Sequence, residues 1–383
     1  MNQDDLRKAA KGTYLQLKEV FSKSGNYWRL GHAFDTIIDY FVSSGDEDGE
    51  AAVFGKLALE RYRVTQGAWY DDFGWWAIAN LRAAEHDQLF GDDSARFLNN
   101  CLDGWNRMAP CTTVWEQDQK IPGFQVLKPA VEGGAWNCAN APGNNSTNPL
   151  NPNGNPLGGF QNTVTNSLRL VLSTRLARHI PNIDQYKVAS DAAYHFMSGW
   201  LSMSRPGFEP LLNVFSSDGK KAVVRERVSC YDSGVKLRGY RSDLAWTGDQ
   251  GLVIGGMIGR MAMVTKSDPD YPAMLMWVRQ ILAGVPVYLA RDGLLLPWSP
   301  DPAPGGDPED YRTGLAVYMR YLLYVYLLQD EDLLEALSPY KGFVYNNANQ
   351  VLQHPANTTG NIDDVMGLLT NDLAILSAAL VIG

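Results

Sequence analysis

The stretch TQGAWYDDFGWWAIANLRAAE, residues 65–85, decides how this chain is read. Two carboxylates, Asp71 and Asp72, stand side by side among Trp69, Tyr70, Phe73, Trp75 and Trp76. From Asp72 onward apolar residues recur at helical spacing. Phe73, Ala77, Leu81 and Ala84 fall on one stripe, and Trp76, Ala79 and Ala83 on another. A helix that is apolar on more than one face is an inner helix, packed on several sides. Its N-terminus, with the two acids, then opens onto a mouth.

The same period dominates the rest of the chain. It predicts helices near 4–23, 33–44, 50–65, 72–90, 93–108, 162–179, 184–202, 249–265, 271–290, 310–328, 332–347 and 364–381. Several open alike, with a turn, an acid and then an apolar stripe: FGDDSARFLNN (90–100), PNIDQYKVASDAAYHF (181–196), KSDPDYPAMLMWV (266–278) and DEDLLEALSPY (330–340). The acids suit N-caps, which accept hydrogen bonds from first-turn N–H groups. Asp92-Asp93 and Asp363-Asp364 read as caps too. Strand-like alternation is confined to short pieces such as KKAVVRERV (220–228), a candidate rim hairpin. About twelve helices, joined by alternately short and long turns, fit two concentric rings of six. The expected fold is therefore an all-α (α/α)6 barrel, a single domain over 1–383, with an open α-solenoid as the alternative. Two irregular segments, 109–160 and 291–309, read as rim loops.

Composition narrows the function. Of 383 residues, 45% are apolar and 20% charged, enough for a large core. The net charge is −9 and no basic stripe is present, so nucleic acid is not an expected partner. Eleven Trp residues suit either a large core or a surface that stacks on sugar rings. Cys101, Cys111, Cys138 and Cys230 show no metal-ligand spacing, and buried free thiols are expected. Cys101 and Cys111 could also pair. No membrane span and no apolar leader are read from the sequence. The chain is expected to be soluble, extracellular if a signal peptide was removed and otherwise cytoplasmic. The triplets at Asn144, Asn145 and Asn357 fit the N-glycosylation pattern.

Adjacent carboxylates at a helix start acquire unequal chemistry. The helix dipole favours an ionised carboxylate there. A second one beside it meets like-charge repulsion, and its pKa rises. One base or nucleophile and one proton donor result, which is the division of labour in glycoside hydrolysis. A retaining mechanism uses a carboxyl separation of about 5–5.5 Å and an inverting one about 6.5–9.5 Å. Neighbours in sequence favour the shorter distance, although a helix splays them by about 100°. The alternative is a pair of solvated caps, which would not need the surrounding aromatics.

Residues 70–77, Tyr70-Asp71-Asp72-Phe73-Gly74-Trp75-Trp76-Ala77, resemble the Tyr-Asp-Asp-x-x-Trp-Trp-Ala segment of glycoside hydrolase family 76, the α-1,6-mannanases. YWRLGHAFDTIIDYFVSSGD (27–46), EGGAWN (132–137), QNTVTNSLRLVLSTRLAR (161–178), LAWTGDQGLVIGGM (244–257) and YRTGLAVYMRYL (311–322) resemble further family segments in the same order. The resemblance implies an (α/α)6 barrel and a metal-free retaining mechanism. Asp71 would be the nucleophile and Asp72 the general acid/base. Gln161 stands where the family has Lys, and Gly248-Asp249 where it has Tyr-Asn. Both departures lie where substrate would be held.

Candidate sugar contacts are Tyr70, Trp76, Trp28, Trp136, Asn162, Asn166, Asp249 and Gln250. Asn162, Asn166 and Asp249 suit helix capping as well. His32 reads as structural, and Tyr311 and Arg312 as residues that reach the mouth, with an ion pair to an acid as the equal alternative for Arg312. The glycines of GLVIGGMIG (251–259) suggest close helix packing, since no strand precedes them as a dinucleotide loop requires. The expected protein is a monomeric, endo-acting glycosidase that takes mannan or manno-oligosaccharide and uses no cofactor and no metal. Another sugar-active enzyme on the same toroid, or a non-catalytic glycan-binding module, is the alternative.

Overall fold

The computed structural model describes residues 2–45, 49–66, 69–112, 134–135, 137, 162–202, 211–226, 244–299 and 310–382. Its long helices alternate between an outer and an inner position. The outer ones are α1 (Gln3–Lys23), α3 (Glu50–Arg61), α5 (Ser94–Met108), α7 (Asp184–Leu201), α9 (Tyr271–Tyr288) and the pair α11 (Glu331–Leu337) and α12 (Lys341–Gln353). The inner ones are α2 (Tyr27–Ser44), α4 (Tyr70–Glu85), α6 (Thr163–His179), α8 (Thr247–Met261), α10 (Gly314–Leu327) and α13 (Ile362–Ile382). Each inner helix packs on the next, and α13 packs on α2, so the ring closes. This is an (α/α)6 toroid, and closure excludes the open solenoid.

Burial explains the sorting. In α4 every residue from Asp72 to Ala83 is buried, as an inner helix covered on all sides requires. In α5 only one stripe is buried, including Phe97, Cys101, Trp105 and Met108. Cys101 and Cys111 are free and buried, so they do not pair. In α8 the glycines permit close approach on two sides. A Cβ on Gly251 would lie 2.6 Å from the Val317 carbonyl oxygen of α10, and one on Gly259 would lie 2.6 Å from Thr174 Oγ1 of α6. Long and apolar α13 could cross a membrane by length and composition alone, yet most of it is buried here, packed on α1, α2, α10 and α12.

Several expected boundaries move for physical reasons. The second helix begins at Tyr27 rather than near 33, because Asn26 Oδ1 accepts the Arg29 N–H (3.3 Å). The predicted 332–347 helix is two helices separated by a 3-10 turn at Ser338–Tyr340, where Pro339 lacks an N–H. Asp330 caps α11 as expected, accepting from Asp332 and Leu333. Asp93 instead pairs with Arg96, and Asn361 takes the cap position expected of Asp363-Asp364. The hairpin expected at 220–228 is present as β1 (Leu212–Val214) paired antiparallel with β2 (Ala222–Val224). A second hairpin, β3 (Ala290–Arg291) and β4 (Leu294–Leu295), starts at the last residue of the expected 271–290 helix and runs into the expected 291–309 loop.

The inner N-termini gather at one end of the ring. There Arg29 of α2 pairs with Asp310 ahead of α10 (3.1 Å) and with Asp364 of α13 (3.3 Å). Trp246, ahead of α8, donates its indole N–H to the Tyr311 carbonyl (2.7 Å). That end is the mouth. Deeper along the axis a buried charge cluster fills the ring. Arg82 of α4 and Arg320 of α10 pair with Asp35 and Asp39 of α2 at 2.5–3.1 Å. Below it, the Tyr324 ring lies between the guanidinium groups of Arg82 (4.6 Å) and Arg175 (4.8 Å). Among the described residues, charged and aromatic side chains thus pack the ring interior below the inner N-termini.

Candidate active site

Asp71 and Asp72 occupy the first turn of α4 and point different ways. Trp69 donates its backbone N–H to Asp72 Oδ2 (3.2 Å), which ties the N-cap to the third residue of α4. Asp72 also lies near enough to Tyr27 of α2 to raise the tyrosine's pKa, behind burial and Tyr62 among the causes. Asp71 lies on the other side, within electrostatic reach of Asp310 across the mouth. Its Oδ1 is buried and has no hydrogen-bond partner among the described residues. Burial first, and then the charge of Asp72, hold the Asp71 carboxyl well above the usual carboxylate range. Asp71 thus sits in a setting that favours the protonated form of its carboxyl.

One turn below Asp71, Trp75 lines the descent toward the charge cluster. Its ring lies against Trp28 (6.1 Å between centroids) and edge-on to His32 (5.3 Å). Trp28 is partly exposed and offers an aromatic face at the mouth. His32 is buried, and Arg320 Nη2 lies 3.3 Å from its Nδ1. A guanidinium can only donate, so Nδ1 accepts and the proton sits on Nε2. Burial first, and then Arg320 and Arg29, push the imidazole well below its usual pKa, so His32 stays neutral. It is a structural residue, as its sequence context suggested.

Other candidates take different positions from those expected. Trp76 is not a sugar wall. It is fully buried, its indole N–H donates to the Tyr27 carbonyl (2.6 Å), and it packs on Tyr27, Phe34 and Tyr62. Residues i and i+4 share a helix face, so Trp76 follows Asp72 outward while Trp75 follows Asp71 inward. Tyr70 is buried at the start of α4, and its backbone N–H donates to the Asn137 carbonyl (2.8 Å). Asn162 is the N-cap of α6, accepting the Thr165 N–H (3.0 Å). Asn166 uses both ends of its amide on backbone, at Ala135 and Asn162.

Gln250 is likewise committed to backbone. Its Oε1 accepts the Val224 N–H (2.7 Å), and its Nε2 donates to the Val224 (2.7 Å) and Trp246 (2.9 Å) carbonyls. It pins β2 to the rim and has no donor left for a sugar. Asp249 is fully buried. Trp136 and Gln161 lie outside the described residues. Sequence reasoning passed over Glu226, a buried rim acid that accepts the Tyr311 hydroxyl (2.8 Å). It also passed over Arg29 and Asp310, and it read Asp364 only as a cap. Their spacing in sequence carries no signal, because the ring alone brings them together.

A closed toroid with two unequal carboxylates at its mouth defines the class of architecture. No family model matches the chain, and no curated protein matches it by sequence. Solved structures do match its fold. The α-1,6-mannanase of glycoside hydrolase family 76 from Salegentibacter sp. HEL1_6 is 16% identical, with a TM-score of 0.66 over 99% of this chain and 100% of that one. An inactive variant of that enzyme, with two adjacent aspartates replaced, was solved in complex with α-1,6-mannotriose (15% identical, TM-score 0.65, 99% and 100% covered). An unsaturated glucuronyl hydrolase specific for heparin is 14% identical, with a TM-score of 0.57 over 99% and 97% of the two chains.

Proposed function

We propose that this chain is a single catalytic domain over 1–383, similar in kind to the family 76 enzymes, and that it hydrolyses α-1,6-mannosidic linkages within mannan or manno-oligosaccharides. The observation that carries this reading is the Asp71-Asp72 pair, in which Asp72 accepts the Trp69 backbone N–H and Asp71 Oδ1 is buried with no hydrogen-bond partner among the described residues. The resemblance of the Tyr70–Ala77 segment to that of the family 76 enzymes supports the substrate class. The fold alone would not separate a mannanase from the glucuronyl hydrolase that shares it.

In the proposed double displacement Asp71 attacks the anomeric carbon and forms a mannosyl ester. Asp72 protonates the departing oxygen and then takes a proton from the incoming water, which hydrolyses the ester. Asp71 must be ionised to attack. Because burial and the neighbouring charge favour a protonated Asp71, the reading requires that proton to leave before attack and Asp72 to carry one when the leaving oxygen departs. A glycosidic oxygen placed at Asp72 stabilises the protonated form there. Trp28 offers the face for a sugar ring.

The test is turnover of α-1,6-mannan by wild type, Asp71→Asn and Asp72→Asn, with the anomer of the first product followed by NMR. The reading expects the α-anomer from wild type and loss of turnover in both variants. No product from wild type on any mannan or manno-oligosaccharide overturns the substrate. A β-anomer overturns the double displacement, and full activity in either variant overturns the pair. A glycan-binding module would bind mannan unchanged in both variants and never cleave it.

A further inference from the structure

Asn166 spends its whole side chain on a segment that leads back to the aspartate pair. Its Oδ1 accepts the Ala135 N–H (2.7 Å), and its Nδ2 donates to the carbonyls of Ala135 (3.0 Å) and Asn162 (2.8 Å). Two residues further on, the Asn137 carbonyl accepts the Tyr70 N–H (2.8 Å). Ala135, Asn137 and Asn166 are all buried. The Tyr70 N–H belongs to the first turn of α4, where helical geometry leaves the leading N–H groups without partners in the helix. No side chain at the N-cap Trp69 takes their place.

A continuous path of hydrogen bonds and a short stretch of backbone thus joins α6 to the residue just ahead of Asp71. Every polar atom of the Asn166 amide serves it, and a buried amide left without a partner would be costly. We propose that Asn166 is a positioning residue, which holds Ala135 and, along the chain to Asn137, the first turn of α4, so that Asp71 and Asp72 hold their placement at the mouth. The proposal rests on the reading of that pair as the reacting groups. Displacement of reacting groups by about 1 Å can cost about 100-fold in rate. A loosened first turn therefore slows chemistry more than it weakens binding.

The experiment uses the full chain with Asn166→Asp, which keeps the acceptor and the shape but loses both donors, beside Asn166→Ala. Ser173→Ala, elsewhere on α6, is the control for general destabilisation. Amide hydrogen exchange across residues 69–76 reads the tether directly, and kcat and KM on α-1,6-mannan read its consequence. Both Asn166 variants are expected to lose protection at 69–76. Their kcat should fall by up to about 100-fold with KM nearly unchanged. Ser173→Ala should do neither. Unchanged exchange at 69–76 in Asn166→Asp overturns the proposal, as does a wild-type kcat in that variant or a loss confined to KM. Should wild type cleave no mannan, the functional reading fails while the exchange measurement still decides the tether.

Discussion

Arg82 and Arg320 divide the carboxylate of Asp35 between them, Arg82 Nη1 meeting one oxygen at 2.5 Å and Arg320 Nη1 the other at 2.8 Å. The same two arginines meet Asp39, at 2.7 and 3.1 Å. Two positive and two negative charges therefore balance on the axis. Burial opposes ionisation of Asp35, but the two guanidinium groups outweigh it and hold its pKa below the usual range. Removing one partner from such a cluster leaves a buried charge uncompensated. Arg320→Met should lower the unfolding free energy by about 3–5 kcal/mol, read by urea denaturation. A loss below about 1 kcal/mol, the scale of an exposed ion pair, would refute this account of the cluster.

Gln250 gives a second stability prediction that separates a rim pin from a sugar contact. In Gln250→Leu the Val224 N–H and carbonyl lose their partners, and each buried unsatisfied group costs about 1–3 kcal/mol. The variant should unfold at lower denaturant concentration. A raised KM with unimpaired stability would return Gln250 to the sugar-binding residues.

Asp71 links stability to pH. Its pKa in the folded chain is raised, so its contribution is fully present below the unfolded value of about 3.9 and is lost as pH rises through the folded one. Asp71→Asn removes the cost of ionisation. It should melt above wild type at neutral pH, with the gap closing toward pH 4 in thermal scans. An equal or lower melting temperature at pH 7 would mean that the carboxyl is not held in its neutral form.

Asp372, far from the mouth, should behave similarly. Burial pushes it up to about 6, although its Oδ2 accepts the Ala356 N–H (2.7 Å). Asp372→Asn keeps an acceptor for that bond. The variant should gain about 3 kcal/mol above pH 7, where wild type is ionised, and nothing near pH 4. A gain independent of pH would exclude titration as its source.

The ring was legible in the sequence because an inner helix must be apolar on several faces, and Asp72–Ala83 shows that without any partner. The position of the aspartate pair was legible for the same reason. What failed was side-chain direction within one turn. Trp75 and Trp76 are neighbours in sequence, yet one faces the axis and the other the core. The polar residues Asn162, Asn166 and Gln250 were found, but sequence cannot distinguish an amide that binds sugar from one that binds distant backbone. Those partners, at Ala135 and Val224, become neighbours only once the ring is closed.

Closure also imposes an order of events during synthesis. Helix α4, with both aspartates, is made early, whereas α13, which completes the ring between α10 and α2, is the last of these helices to be made. Until it docks, the apolar faces it covers on α1, α2 and α10 remain wet. Such contacts between distant parts of a chain slow folding, because the intervening loop must close before they form. The nascent protein thus holds both aspartates long before the ring around them is complete, and the unfinished ring is a stage at which exposed apolar faces invite aggregation.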